Sequence, residues 1–335
     1  MIVPAVPPPV TKSIVSLQAE AALVADEGGQ PPDFVAAVHR PSAAPPPVNR
    51  PGRHTMADDF REIVSDLWYG RDLLYQLTLR DIRIRYKQAV MGFGWSVFMP
   101  IMVVLSGALV RYAMALVSGG QLDTADVASL AVKALPWAFF VGTIGFATTS
   151  LTANMHLVSK VYFPREVLPL SSTLAQAFDS LIGLATLAVI LPFLEVQLTL
   201  GLLWVPLLVV LLLIFTAGAS LFLSCANLFF RDVKYIVQVM LTFGIFFTPV
   251  FFEPAMLGPK GSRLVMLNPL APILEGMRLA VVKGHNLLVP LMDPAKGGVI
   301  WDPWYLAYSA IWAVGGLVLA ALLFHRSEFI FAEYV

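Results

Sequence analysis

The stretch LGLLWVPLLVVLLLIFTAGASLFLSCANLFF, at residues 200–230, contains no charged side chain from end to end. A helix needs about 20 apolar residues to cross the hydrocarbon core of a membrane, where every backbone polar group must be hydrogen-bonded within the segment. The stretch therefore predicts a membrane-spanning helix. The composition of the whole chain agrees, because 58% of its residues are apolar and only 13% are charged, against about a quarter charged in soluble domains.

Five further apolar segments flank this one, and each is close to the spanning length. They lie at residues 92–117, 134–154, 170–194, 235–252 and 304–324. The short break LEVQLT, at 194–199, separates the third span from the fourth. The sequence thus predicts an all-α integral membrane protein with six transmembrane helices. It shows no convincing internal repeat, which argues against a secondary transporter built from inverted repeats.

The chain before the first predicted span has two parts of different character. Residues 1–58 are rich in proline and small side chains. Such a composition cannot bury a core, so we expect a disordered cytoplasmic tail there. Residues 59–88 predict an amphipathic helix with a break at Gly70 and with basic side chains crowded toward its end. A helix with one basic and one apolar face lies in the membrane interface, so this interface helix is expected just before the first span.

The basic residues beside the spans predict the orientation, because Lys and Arg concentrate in cytoplasmic loops. The opposite side would carry Lys133 and five basic residues in the loop 253–303, which is long enough to follow the rule less strictly. Both termini are therefore expected in the cytoplasm. That orientation places ten basic residues on the cytoplasmic side: Arg71, Arg80, Arg83, Arg85, Lys87, Lys160, Arg165, Arg231, Lys234 and Arg326.

The long loop after the fifth span contains a helical pattern of its own. Residues 270–283 read LAPILEGMRLAVVK, with Glu275 and Arg278 three positions apart. This spacing lets the two charges meet on one helix face. The mixture predicts short re-entrant helices that dip into the outer membrane face, where irregular backbone must be surrounded by protein or water.

The sequence contains none of the motifs that would make the chain an ATPase or a metal enzyme. It has no GxxxxGK(S/T) phosphate-binding loop, no HExxH and no CxxC, and its single cysteine, Cys225, lies in an apolar run. The 22 basic and 22 acidic residues cancel and so indicate no nucleic-acid partner. We expect no enzyme activity, no cofactor and no metal, so the energy for transport would come from another chain or from an ion gradient.

Two charged residues fall inside predicted spans, and buried charge in a membrane suggests function because it is costly. Arg111 lies near the outer end of the first span and is expected to snorkel to the surface. Asp179 lies within the third span and has two interpretations, a packed hydrogen-bonded contact or a place on the transport pathway. A proton relay would require more than one buried carboxylate, which disfavours ion-coupled transport.

Phenylalanines crowd the end of the fifth predicted span and could line a channel. Aromatic rings stack on the apolar faces of sugars, so such a channel would let a glycan slide; the alternative is a lipid-facing aromatic belt. Phe246 and Phe247 point in different directions on a helix, whereas Phe247 and Phe251 are four apart and would share a face. The prediction therefore favours Phe247 and Phe251 over Phe246 as channel-lining residues.

Five blocks of this sequence resemble, in order and spacing, the permease subunits of type-2 ABC exporters of polysaccharide, such as O-antigen, teichoic acid or capsular polysaccharide. The likeness covers about residues 60–335, and the proline-rich start and the SEFIF near the C-terminus depart from the pattern. The blocks are RDLLYQLTLRDIRIRYKQAVMGFGWSVFMP (71–100), VYFPREVLPLSS (161–172), NLFFRDVKYIV (227–237), LNPLAPILEGMR (267–278) and RSEFIFAEYV (326–335).

The resemblance implies a homodimer in the bacterial inner membrane, two copies of a separate ATPase subunit, and a lipid-linked glycan as substrate. It implies that residues 59–335 form the exporter transmembrane domain and that the loop after the fifth span forms the outer gate, with Glu275 and Arg278. Two further sites follow from the matched blocks. The ATPase-coupling loop would contain Lys160, Phe163, Pro164, Arg165 and Glu166, and the diphosphate headgroup would meet Arg80, Arg83 and Arg85.

Other functions stay open at this point. The arginines could equally bind ordinary anionic lipid as a positive-inside anchor. The chain could belong to an ABC exporter of another lipid or of a drug, to a gradient-driven flippase, or to a non-transport scaffold of a glycan-synthesis complex.

Overall fold

The fold is described from a computed structural model, for residues 56–87, 94–118, 123–160, 163–197, 199–292, 298–328 and 331. The chain divides into Met1–Arg53 and His54–Val335, and all described residues belong to the second unit. The expected disordered tail, at 1–58, therefore lies almost wholly outside the described residues. Its last three positions are the start of a helix.

The segment before the first span forms two helices, α1 (Met56–Tyr69) and α2 (Arg71–Tyr86), which confirms the predicted break at Gly70. A side chain at Gly70 would bring its Cβ to 3.0 Å from the backbone oxygen of Asp66. The inner face of α1 buries Ile63, while Phe60, Val64 and Trp68 are exposed on the other face. That α1 and α2 lie in the membrane interface stays a prediction.

Long helices make up most of the remaining chain. They are α3 (Gly94–Ser118), α4 (Thr124–Ala153), α6 (Val167–Ile190), α7 (Trp204–Phe229), α8 (Val233–Phe247) and α11 (Pro303–Glu328), with the short α5 (Met155–Lys160) before α6. Four helices are long and apolar enough to cross a membrane: Thr124–Ala153, Val167–Leu194, Leu200–Phe229 and Pro303–Glu328. The chain is therefore a helical multi-pass membrane protein, and the remaining two spans, α3 and α8, stay predictions.

Two boundaries differ from the prediction. Helix α4 begins at Thr124 rather than near residue 134, and Asp123 caps it by accepting a bond from Ala125 N at 3.4 Å. Helix α8 ends at Phe247 rather than at 252, and Thr248 has extended backbone angles. The cause is Pro249, because a proline disfavours helical geometry at the residue before it. The predicted break at 194–199 is confirmed, with Glu195 in the left-handed region at φ 58°.

The loop after α8 folds into short elements, as predicted. Helices α9 (Gly258–Met266) and α10 (Ala271–Val281) follow a 3₁₀ turn at Pro254–Leu257. A small antiparallel pair, β1 (Leu291–Met292) and β2 (Val299–Trp301), leads into α11. Every residue of α10 is buried. It packs against α4 and α7, so this segment is enclosed by protein rather than by lipid.

Two hydrophobic clusters hold the bundle together. One surrounds α10 and includes Leu208, Ile273 and Trp301. The other lies where α1 meets the ends of α7 and α11, and includes Leu221 and Phe324. Because the first turns of α11 touch the segment before α10 and its last turns touch α1, these clusters mark opposite ends of α11. We call them the α10 end and the α1 end.

Candidate functional site

The predicted coupling loop lies at the α1 end, between α5 and α6. Its turn is closed by Val167 N donating to Pro164 O at 3.2 Å and by Leu168 N donating to Arg165 O at 3.2 Å. Phe163 is half-buried against the α1-end cluster. The side chain of Lys160 lies outside the described residues. The loop is therefore a short turn anchored on one side by the first turn of α6.

Arg165 points inward rather than into solvent. Its Nη1 donates to the backbone oxygen of Glu328 at 2.6 Å, and its Nε lies 3.7 Å from the Glu328 carboxylate. Its guanidinium also lies over the ring of Phe331, 5.7 Å from the centroid. Arg165 thus binds the end of α11, a contact that sequence reasoning missed because 163 residues separate the partners.

Glu166 pairs with the same helix end. Its carboxylate lies 3.6 Å from Nδ1 of His325, whose Nε2 is 4.0 Å from Glu62 of α1. Burial raises the pKa of the neighbouring Asp66 carboxyl, and the charges of Glu62 and Glu166 raise it further. This end of the bundle is therefore rich in acid, which His325 and the arginines offset.

One set of side chains in the described part of the chain could hold a metal ion by distance. The ligand atoms of Glu166, His325 and Glu328 lie within 4.8 Å of one another. Arg165 already provides positive charge to Glu328, so the carboxylates are balanced by groups of the chain itself.

The predicted pair in the long loop is a contact, and it is dry. Arg278 Nε donates to both carboxylate oxygens of Glu275 at 3.1 Å, and their side chains are 1% and 0% exposed. Arg278 Nη1 also lies 3.2 Å from the carboxylate of Glu253. The pair is thus completely shielded from water, and removing one partner of such a pair costs more than on a surface.

Lys133 completes this group, and sequence reasoning placed it wrongly in a loop. It is fully buried in α4 and donates to the backbone oxygen of Phe252 at 2.7 Å. Arg111, expected to snorkel, is instead buried and lies 3.4 Å from Asp126. The misplacement of Lys133 came from starting α4 ten residues late. We call Glu253, Glu275, Arg278 and Lys133 the α10 charge network.

The three arginines predicted to meet a headgroup do not form one group. Arg85 Nη1 donates to Asp179 at 2.5 Å and to Gln176 at 2.8 Å. Tyr86 donates to the other oxygen of Asp179. Asp179 is therefore a paired, hydrogen-bonded side chain, and the guanidinium of Arg85 is already occupied.

Of the other two arginines, Arg80 bonds to the adjacent Asp81 at 2.9 Å. Arg83 is exposed and forms no ion pair within the described residues. Arg83 is therefore the arginine of this helix best placed to meet an anion from outside the chain.

The three phenylalanines of the predicted channel also separate. Phe246 and Phe247 are exposed at the end of α8, Phe247 to 74%. Phe251 lies beyond the helix end and packs partly buried against the α10-end cluster. The argument that Phe247 and Phe251 share a helix face was wrong, because the helix stops between them at Thr248.

The long apolar helices and the buried helix α10 together define an α-helical multi-pass membrane protein, with the ion-paired turn at the α1 end. Residues 72–282 match the family described as ABC-2 type transporter, and the chain belongs to that family.

Three relatives share most of their length with this chain. It is 32% identical to an O-antigen export system permease protein RfbA of Klebsiella pneumoniae over 223 residues, which are 65% of this chain and 83% of the relative. A second Klebsiella pneumoniae protein of the same name is 31% identical over the same shares of both chains. One of Myxococcus xanthus is 27% identical over 242 residues, 71% of this chain and 91% of the relative.

Proposed function

We propose that this chain is the membrane-spanning permease subunit of an ATP-driven exporter that moves a lipid-linked polysaccharide across the bacterial inner membrane. One observation carries the proposal: the chain covers 83% of a relative that is named an O-antigen export permease. Six spans with both termini in the cytoplasm put the α1 end inside the cell and the α10 end outside. The permease works as a homodimer.

A separate ATPase subunit supplies the energy, because the sequence has no phosphate-binding loop. Two copies of it would dock on the dimer at the coupling loop, Lys160 with residues 163–166, which lies at the cytoplasmic α1 end in this orientation. The inward position of Arg165 leaves Phe163 and Pro164, among the described side chains of this loop, to touch the partner.

The substrate would meet the permease through two exposed features. Arg83, near the end of α2, is available for a diphosphate headgroup, to which a guanidinium binds through its planar fork. Phe247, with Phe246, offers aromatic faces to a sliding glycan at the end of α8. The α10 charge network would hold the outer gate helices in place.

Reconstitution tests the proposal. The purified chain is placed in proteoliposomes with the proposed ATPase subunit, and movement of a lipid-linked glycan is followed with and without ATP. We expect ATP-dependent movement with both subunits and no ATP turnover by the chain alone. ATP turnover by the chain alone would contradict the subunit role, and movement of a plain phospholipid or a drug but no glycan would contradict the cargo.

The aromatic lining has its own test. Phe247→Ala should lower glycan movement while ATP turnover and dimer formation persist, and a cysteine placed at 247 should react with a membrane-impermeant thiol reagent. If only lipid-soluble reagents label this position, Phe247 faces lipid and lines no channel.

A further inference from the structure

We propose that α11 is the mechanical link between the coupling loop and the outer gate helices, with Glu328 as the positioning residue at one end and Tyr308 at the other. The inference rests on the proposed function, since it requires the loop 163–166 to be the ATPase contact. It assigns the energy transfer to a helix that touches both sites but belongs to neither.

At the loop end of the link, two consecutive loop residues contact one face of α11. Arg165 binds the backbone and carboxylate of Glu328, and Glu166 pairs with His325. Positions 325 and 328 are three apart and therefore neighbours on α11. A displacement of the loop must move this face of α11 or break both contacts.

The helix end is itself firmly seated, so the displacement is not absorbed locally. Phe331, which lies under the Arg165 guanidinium, is fully buried and packs edge-on against Phe324 at 5.3 Å and Phe229 at 5.8 Å. Helix α11 lies along α7 for much of its length. Packed interiors transmit strain because they are close to crystal density.

The gate end of the link is made by the second turn of α11. Tyr308 donates its hydroxyl to Leu267 O at 2.6 Å, and Ser309 donates to Pro269 O at 2.9 Å. Both acceptors lie in the turn that joins α9 to α10, directly before the helix that carries Glu275 and Arg278. The 26 residues of α11 span about 39 Å at 1.5 Å per residue.

Variants at the two ends should fail differently, which separates a link from a merely structural helix. In proteoliposomes with the ATPase subunit, Glu328→Gln removes the carboxylate that lies 3.7 Å from Arg165 Nε but keeps the backbone oxygen that Arg165 binds. It should lower both the permease-stimulated ATP turnover and glycan movement by about two- to fivefold, the range for one partly exposed ion pair. Tyr308→Phe should lower glycan movement by a similar factor of about five while ATP turnover stays near the native rate.

The matched control is Arg326→Gln, which breaks an ion pair of the same helix end. Arg326 binds Asp59 of α1 at 2.8 Å and forms no hydrogen bond or ion pair with the described loop residues 163–166. Both activities should persist in this variant. Loss of ATP turnover and glycan movement equal to that of Glu328→Gln would show that any damage to this helix end has the same effect, and would overturn the proposal.

A charge swap keeps the proposal testable if a single variant folds poorly. Arg165→Glu should abolish stimulated ATP turnover, and Arg165→Glu with Glu328→Arg should recover part of it, because the pair is re-formed in reverse. If the ATPase subunit instead contacts the Arg165 side chain directly, the double variant stays inactive and the proposal is wrong.

Failure of the proposed function would look different. In that case the native pair of subunits moves no glycan in the same assay. Amide exchange of residues 163–168 in the purified permease then still reports whether Glu328 holds the loop, since Glu328→Gln should speed exchange there and Arg326→Gln should not.

Discussion

The two ends of the bundle both hold a short segment with charged side chains, but in opposite surroundings. At the α10 end, Arg278 and Glu275 are 1% and 0% exposed. At the α1 end, Arg165 and Glu328 are 18% and 22% exposed. A buried charge that loses its partner has no water to replace it, whereas a partly hydrated one does. Breaking a charge contact therefore costs more at the α10 end, and the α1 end can exchange contacts at a lower cost.

This difference is consistent with the proposed transfer of energy from the coupling loop to the outer gate. The proposed gate at the outer face must resist opening until the ATPase acts, and the shielded pair of Glu275 and Arg278 would provide that resistance. A coupling loop must respond to its partner at each ATP cycle, and wetter ion pairs allow it. The following predictions test whether shielding, rather than the number of ion pairs, separates the two ends.

The largest loss of stability should come from Arg278→Met. It leaves the fully buried carboxylate of Glu275 without its partner, beside the half-buried Glu253, and an uncompensated buried charge costs about 3–5 kcal/mol. Chemical unfolding of the purified chain in detergent measures the loss. The double variant Glu275→Met with Arg278→Met keeps the network neutral and should recover most of it. A double variant as unstable as the single one would show that net charge is not the cause.

Lys133→Met should come next. The change removes the donor to the part-buried backbone oxygen of Phe252, at a cost of about 1–3 kcal/mol. The same unfolding assay applies, with Lys260→Met, an exposed lysine of α9, as control. Equal stability of the two variants would contradict the interpretation that the bond from Lys133 to Phe252 stabilises the start of the loop that carries α10.

Asp179→Asn should have an intermediate effect, since the Arg85 and Asp179 side chains are 17% and 16% exposed. Losing a charged acceptor for Arg85 and Tyr86 should cost roughly 1–2 kcal/mol. Combining it with Arg85→Gln in a double-mutant cycle measures the pair alone. Strictly additive losses would mean that Arg85 and Asp179 do not interact.

The smallest effect is expected for Arg326→Gln, because Arg326 is more hydrated than Arg165 and Glu328. Arg326 is 52% exposed, so screening leaves at most about 0.5 kcal/mol of the ion pair with Asp59. The loss should shrink further at high salt, because exposed pairs are screened. A loss of stability as large as that of Arg278→Met, measured by the same unfolding assay, would show that shielding does not distinguish the two ends.

Local sequence patterns predicted much of the fold. The helix break at Gly70, the break at 194–199 and the contact between Glu275 and Arg278 each depend on neighbours within a few residues. The early end of α8 was also readable, since Pro249 stands directly after Thr248. The predicted span at 235–252 extended beyond this proline because the residues after it are also apolar.

The sequence by itself determined that the chain is a membrane protein of long helices, since hydropathy and capping act over a helix length. Only the tertiary structure decided which charges meet. Arg85 finds Asp179 across 94 residues and Arg326 finds Asp59 across 267. It also decided that Lys133 is buried and that Arg165 faces inward. Such pairings depend on how helices pack, and no local spacing encodes the packing of segments that are distant in the chain.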